Sequence, residues 1–142
     1  MPHAYMPDYA LWSKEFERFE ISDSTILVGH SCGGGFLVRW LSENPKILVN
    51  NVILVAPWLD PENTKRNDFF NFTIDAGIGN RARSLVIFNS TNDMKSVRRS
   101  VETLVENVPL IGYKEFQNYG HFCRSDLNED RFPELLAEVI KK

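Results

Sequence analysis

Residues 26–35, Ile-Leu-Val-Gly-His-Ser-Cys-Gly-Gly-Gly, constrain this chain more than any other stretch. An apolar run leads into a Gly-x-Ser-x-Gly pentad, and an amphipathic segment begins at once on its far side. That succession reads as strand, sharp turn and helix, the setting of a nucleophile elbow. At average residue usage the pentad arises by chance only about 0.05 times in a chain of this length. Gly29 and Gly33 flank Ser31, and on so tight a turn a Cβ at either position is expected to clash with its neighbours. A Gly-rich turn that binds a phosphate, or nothing, is the competing structural reading.

Around this turn, apolar strands alternate with amphipathic helices. Residues 25–28, 51–56 and 84–89 are strand candidates with the unbroken apolar character of strands covered on both faces. Residues 110–116 alternate more and fit a place near the sheet edge. Helical spacing of apolar residues marks 9–19 (Leu11, Trp12, Phe16, Phe19), the segment after the elbow (Phe36, Leu37, Trp40, Leu41, ended by Asn44-Pro45), 96–107 and 132–140. Such alternation predicts an α/β fold with a parallel sheet and helices on both faces. With 142 residues and 43% hydrophobic content the chain has enough apolar surface for one core, so residues 1–142 are read as a single domain. Within it, residues 57–83 form a long polar and aromatic connection, expected either to cap the site or to serve as a plain crossover.

Charge excludes some partners. A net charge of −3 without a basic run offers nothing for a nucleic acid or an anionic membrane. The N-terminus carries no signal-peptide pattern and no apolar run is long enough to span a bilayer, which predicts a cytoplasmic protein. Cys32 and Cys123 have neither the number nor the spacing of a disulfide framework or a zinc site, and both are read as reduced thiols.

A serine nucleophile needs a base, and the base needs an orienting acid. Of the three histidines, His3 lies in the irregular N-terminus, and His30 adjoins Ser31 with its side chain expected to point away from the nucleophile. His121 remains, in Asn118-Tyr119-Gly120-His121-Phe122 beyond the last strand, at the carboxyl edge of a parallel sheet where sites gather. Asp93, in the Ser90-Thr91-Asn92-Asp93 loop after the third strand, is the best acid. Asp60 and Asp126 compete, the first reading as a turn residue and the second as a turn or helix cap. Ser31, Asp93 and His121 follow the serine, acid, histidine order of α/β hydrolases.

Gly29-His30-Ser31-Cys32-Gly33, the Ser90–Asp93 turn, Gly120-His121-Phe122 and their spacing make the chain similar, over essentially its whole length, to the small single-domain α/β-hydrolase family typified by retinoblastoma-binding protein nine. The resemblance implies a Rossmann-like three-layer sandwich and a serine hydrolase that uses no metal or other cofactor. Carried over, Ser31 is nucleophile, Asp93 acid and His121 base, and the Cys32 N–H is one oxyanion donor. Family chains begin with a further strand, a His-Gly loop, a helix and a second strand ahead of the point where this sequence starts. On that comparison the fold is expected to be N-terminally shortened, to lack its second oxyanion donor and to place its elbow strand at a sheet edge, which would invite homodimerisation. The expected substrate is a small ester or amide, cleaved through an acyl-enzyme, with His30 and Trp58 assigned to substrate contacts and the Phe69, Phe70 and Phe72 cluster to the pocket wall. The rival expectation is a pseudoenzyme or protein-binding module on the same scaffold. A nucleotide binder ranks last, because Gly-x-Gly-x-x-Gly is missing.

Overall fold

A computed structural model describes residues 1–64 and 68–141. Its elements in chain order are α1 (Tyr9–Phe16), β1 (Ile26–His30), α2 (Cys32–Glu43), β2 (Val49–Val55), a 3₁₀ helix (Ala76–Arg81), β3 (Ala82–Ser90), α3 (Lys95–Asn107), β4 (Gly112–Phe116), α4 (Arg124–Leu127) and α5 (Pro133–Val139). The four strands form one parallel sheet in the order β1-β2-β3-β4. Val28, Ile53, Val86 and Gly112 stand in one row across it. Each strand therefore delivers its carboxyl end to the same edge of the sheet.

Two apolar layers explain the continuous strands. Leu27, Val52, Leu54, Leu85 and Ile87 point to one face, where Trp12, Phe36, Leu37, Val101 and Leu104 from α1, α2 and α3 cover them. The alternate residues Ile53, Val55, Val86 and Phe88 point to the other face and meet Phe122, Leu135 and Val139. The result is a three-layer α/β sandwich, in which β2 and β3 lose water on both sides. β4 is exposed along all but its last residue, as suits an edge.

β1 departs from the strand covered on both faces. It pairs with β2 alone among the described residues, and Val28 is 46% exposed. α1 also stops short of the expected 9–19. Phe16 reaches the ring of Trp40 at 5.0 Å, whereas Phe19, at 66% exposed, finds no core to hold a further turn.

In the connection 57–83, residues 65–67 lie outside the described residues. Phe69 is fully buried and meets Trp12 edge to face at 4.9 Å, so it belongs to the core beside α1 and not to a pocket wall. Arg39 of α2 holds this stretch by donating to the carbonyls of Asp68 and Phe69, and Arg81 donates to the Leu41 carbonyl and pairs with Asp75. Among the described residues no helix is long and apolar enough to cross a membrane.

Candidate functional site

The elbow is built by a forced backbone. Ser31 adopts φ 53° and ψ −120°, a conformation in which a side chain is strained, and α2 starts at the next residue. Three hydrogen bonds hold it there. The Ser31 N–H donates to the Val55 carbonyl at 2.9 Å, while the Ser31 carbonyl accepts from the N–H groups of Gly35 at 3.1 Å and Trp58 at 3.0 Å. The turn is thus fastened to the end of β2 and to the chain that leaves it.

Glycine requirements at this turn differ from expectation. A Cβ on Gly29 would lie 2.6 Å from the Gly33 carbonyl oxygen and 2.8 Å from Leu37 Cδ1. A Cβ on Gly33 would meet nothing within 4 Å, because its Cα faces outward from the first turn of α2. The crowding falls further along, at Gly34, where a Cβ would lie 2.9 Å from Pro57 Cβ, and at Gly35, where it would run into the Trp58 carbonyl and stand 2.7 Å from Phe70. Gly29→Ala is therefore expected to lower stability by about 1–3 kcal/mol. Gly33→Ala should be neutral or gain up to about 1 kcal/mol from helix propensity. Urea unfolding of the two variants checks the contrast.

Three loops at the carboxyl edge converge on the serine. His121 Nε2 is 2.8 Å from Ser31 Oγ, and His121 Nδ1 is 3.0 and 3.1 Å from the two carboxylate oxygens of Asp93. The Asp93 side chain is fully buried and that of His121 is 18% exposed. Asp93 also accepts the Met94 N–H at 2.6 Å, which fixes the carboxylate against its own backbone. With the acid an acceptor at Nδ1, the imidazole proton sits on Nδ1 and Nε2 is free to take the hydroxyl proton.

The two rival acids face elsewhere. Asp60 accepts from the Thr64 N–H and hydroxyl at 2.8 and 2.7 Å. Asp126 accepts the N–H groups of His121 and Cys123 at 2.9 and 3.2 Å and so holds the backbone of the histidine loop. It crowds Gly120, whose φ of +55° and missing Cβ let the chain pass. The cap expected at Asp126 is present at the Cys123 N–H, and its other acceptor bond reaches back to the histidine itself.

His30 does not simply point away. Its ring lies 4.8 Å from that of His121, and its Nε2 donates to the His121 carbonyl at 2.8 Å. Burial against this neighbour pushes its pKa below the ordinary histidine value. Trp58 meets the elbow through its backbone N–H, and its ring packs on Phe70 at 5.1 Å. Cys32 is the first residue of α2 and follows the serine directly. A groove of about 620 Å³ beside Asn89, Val101 and Tyr113 contains none of these residues. The hydrogen-bonded serine, imidazole and carboxylate can activate a hydroxyl for attack on a carbonyl carbon.

Sequence comparison matches residues 2–134 to the serine hydrolase family. No curated protein matches the sequence. In structure the chain is similar to the carboxylesterase CesB (YbfK) from Bacillus subtilis, with a TM-score of 0.61, 14% identity, and coverage of 100% of this chain and 70% of that one. A serine hydrolase involved in carbazole degradation, CarC, gives a TM-score of 0.61 at 10% identity, over 99% of this chain and 73% of that one. A predicted CIB-like hydrolase from Thermoplasma acidophilum gives 0.58 at 15% identity, over 92% of this chain and 55% of that one. The chain thus spans little more than half of the Thermoplasma hydrolase. These likenesses establish an α/β-hydrolase fold.

Proposed function

The chain belongs to the serine hydrolase family, and from that premise we propose that it cleaves a small carboxylic ester or amide through an acyl-enzyme on Ser31. The observation that carries this reading is the relay from Ser31 Oγ through His121 to Asp93, with contacts of 2.8 and 3.0 Å, on a serine held at φ 53°. His121 Nε2 takes the hydroxyl proton as Oγ bonds to the substrate carbonyl carbon. The carbonyl oxygen becomes an oxyanion, for which this reading assigns the Cys32 N–H as donor because it follows the serine at a helix N-terminus. The protonated imidazole then gives its proton to the departing alcohol or amine, and the acyl group stays on Ser31. Water, deprotonated by the same nitrogen, attacks the acyl carbon and restores the serine. Asp93 stays ionised throughout and stabilises the imidazolium. Trp58 and His30, beside the elbow, are the residues this reading assigns to substrate contacts.

A fluorophosphonate probe tests the proposal, because it reacts with an activated serine without any knowledge of the substrate. Labelling of the wild type but not of Ser31→Ala is expected. A folded wild type that stays unlabelled would overturn the enzyme reading and leave the scaffold as a binding module.

A further inference from the structure

The loop that carries the acid and the loop that carries the base are joined by more than the ion pair between them. Four consecutive residues of the first loop each use a side chain on the second. Ser90 Oγ accepts the Tyr119 N–H at 2.9 Å. Thr91 Oγ1 accepts the Asn118 N–H at 3.2 Å. Asn92 Oδ1 accepts the Gly120 N–H at 2.8 Å, and Asp93 meets the His121 ring. The Ser90 hydroxyl, having accepted from Tyr119, donates its own proton to Asn92 Oδ1 at 2.8 Å. One amide oxygen therefore ends a chain of hydrogen bonds from one loop and receives the N–H of the residue just before the histidine.

We infer that Asn92 is a positioning residue for the base, and that its side-chain oxygen sets where the His121 ring stands between Ser31 and Asp93. This inference rests on the reading of Ser31, His121 and Asp93 as the reacting set. Three features of the site favour it. Asn92 is exposed while Asp93 next to it and Ser90 two residues before it are buried, so its outward place in the chain contrasts with a side chain turned back onto the loops. Gly120 has φ +55°, the left-handed conformation, so its N–H direction fixes how the chain enters His121. Asp126 grips the His121 N–H from the other side at 2.9 Å, which leaves the Gly120 N–H as the adjoining handle on the same loop. An acceptor is needed at this point and a donor would not serve, because both partners of Asn92 Oδ1 present protons.

The consequence is a separation between positioning and binding. Loss of the acceptor in Asn92→Ala frees the loop, and a displacement of the His121 ring by about 1 Å should cost on the order of 10- to 100-fold in kcat. KM for a small ester such as p-nitrophenyl acetate should be unchanged, since Asn92 faces the loops. Asn92→Asp keeps the acceptor oxygen and should restore kcat on its alkaline plateau, where the base is neutral whatever charge lies near it. A readout that needs no turnover is the low-field proton resonance of the His121 Nδ1–H shared with Asp93. It should be present in the wild type, lost or broadened in Asn92→Ala, and regained in Asn92→Asp.

The same set of measurements separates the two readings. An unlabelled, inactive wild type that nonetheless shows the Nδ1–H resonance, with its loss in Asn92→Ala, would overturn the hydrolase reading and support the positioning role. Retention of both the resonance and kcat in Asn92→Ala would overturn the role of Asn92 while the hydrolase reading stood. A fall in kcat that Asn92→Asp fails to restore, with the resonance intact in both variants, would likewise overturn it. Because Asn92 is exposed, both variants are expected to fold. Thr91→Val, which removes the neighbouring acceptor without touching Asn92, should give a smaller loss of kcat, and an equal or larger loss would overturn the particular weight placed on Asn92.

Discussion

Ser31→Gly is expected to abolish turnover and to stabilise the protein at the same time. Removal of the nucleophile should lower kcat on the order of 10⁵- to 10⁶-fold, the scale on which triads fail when the attacking atom is lost. Stability should move the other way. Ser31 is held at φ 53° and ψ −120°, where a Cβ costs energy and glycine does not. Against the relief of strain stand the lost contact with His121 and the greater freedom of an unfolded glycine. The net gain should be about 1 kcal/mol, or roughly 3–4 °C in Tm for a chain of this size. Thermal unfolding of Ser31→Gly beside Ser31→Ala isolates the backbone contribution, since both lack the hydroxyl and only one lacks the Cβ. A Tm for Ser31→Gly no higher than that of Ser31→Ala would show that the strain relieved does not exceed the extra freedom of the unfolded glycine.

Asp93→Asn should be nearly as damaging to catalysis while leaving the fold intact, with kcat down by about 10⁴-fold. The reason is the choice of tautomer. Both Asp93 oxygens lie within 3.1 Å of His121 Nδ1 and hold a proton there. An asparagine can turn its NH₂ to that nitrogen and leave the proton on Nε2, where it blocks removal of the Ser31 proton. Asp60→Asn, whose carboxylate is engaged with Thr64, should change kcat little. Asp126→Asn should fall between them, because its carboxylate carries the histidine loop through two N–H groups but does not touch the ring. Steady-state kinetics on the three variants gives the ranking, and a loss at Asp60 equal to that at Asp93 would undo the assignment.

The parallel sheet was legible because β2 and β3 bury alternate residues on opposite faces, and that leaves an unbroken apolar run in the sequence. The nearness of Ser31, Asp93 and His121 was legible for a related reason. Ser31 and Asp93 follow apolar strands and His121 follows the more alternating edge strand, and parallel strands bring their carboxyl ends to one edge. What escaped was decided by single contacts between residues far apart in the chain. Asn92 and Gly120 are 28 positions apart, and no periodicity records that an amide oxygen meets a backbone N–H. Gly33 was misjudged because a Gly-x-Ser-x-Gly pattern does not say which flanking glycine faces packed atoms; the contact runs from Gly29 toward Gly33, not the reverse. Phe69 was misplaced because an aromatic residue in a long polar connection can face a pocket or a core equally well until Trp12 is seen against it.

The strand order carries a last consequence. β2 supplies no member of the relay, yet it stands between the strand that leads to Ser31 and the one that leads to Asp93. Neighbouring strands are about 4.8 Å apart, so nucleophile and acid are rooted roughly 10 Å from each other. An imidazole with a hydrogen bond at each end is of comparable length, and it comes from β4, on the far side of both. β2 thus acts as a ruler: its width sets the gap that one histidine ring can bridge. Any change that thickened or thinned the sheet at Val55, for instance a bulge in β2, would mistune the distance between Ser31, whose N–H its carbonyl accepts, and Asp93 at the end of the next strand.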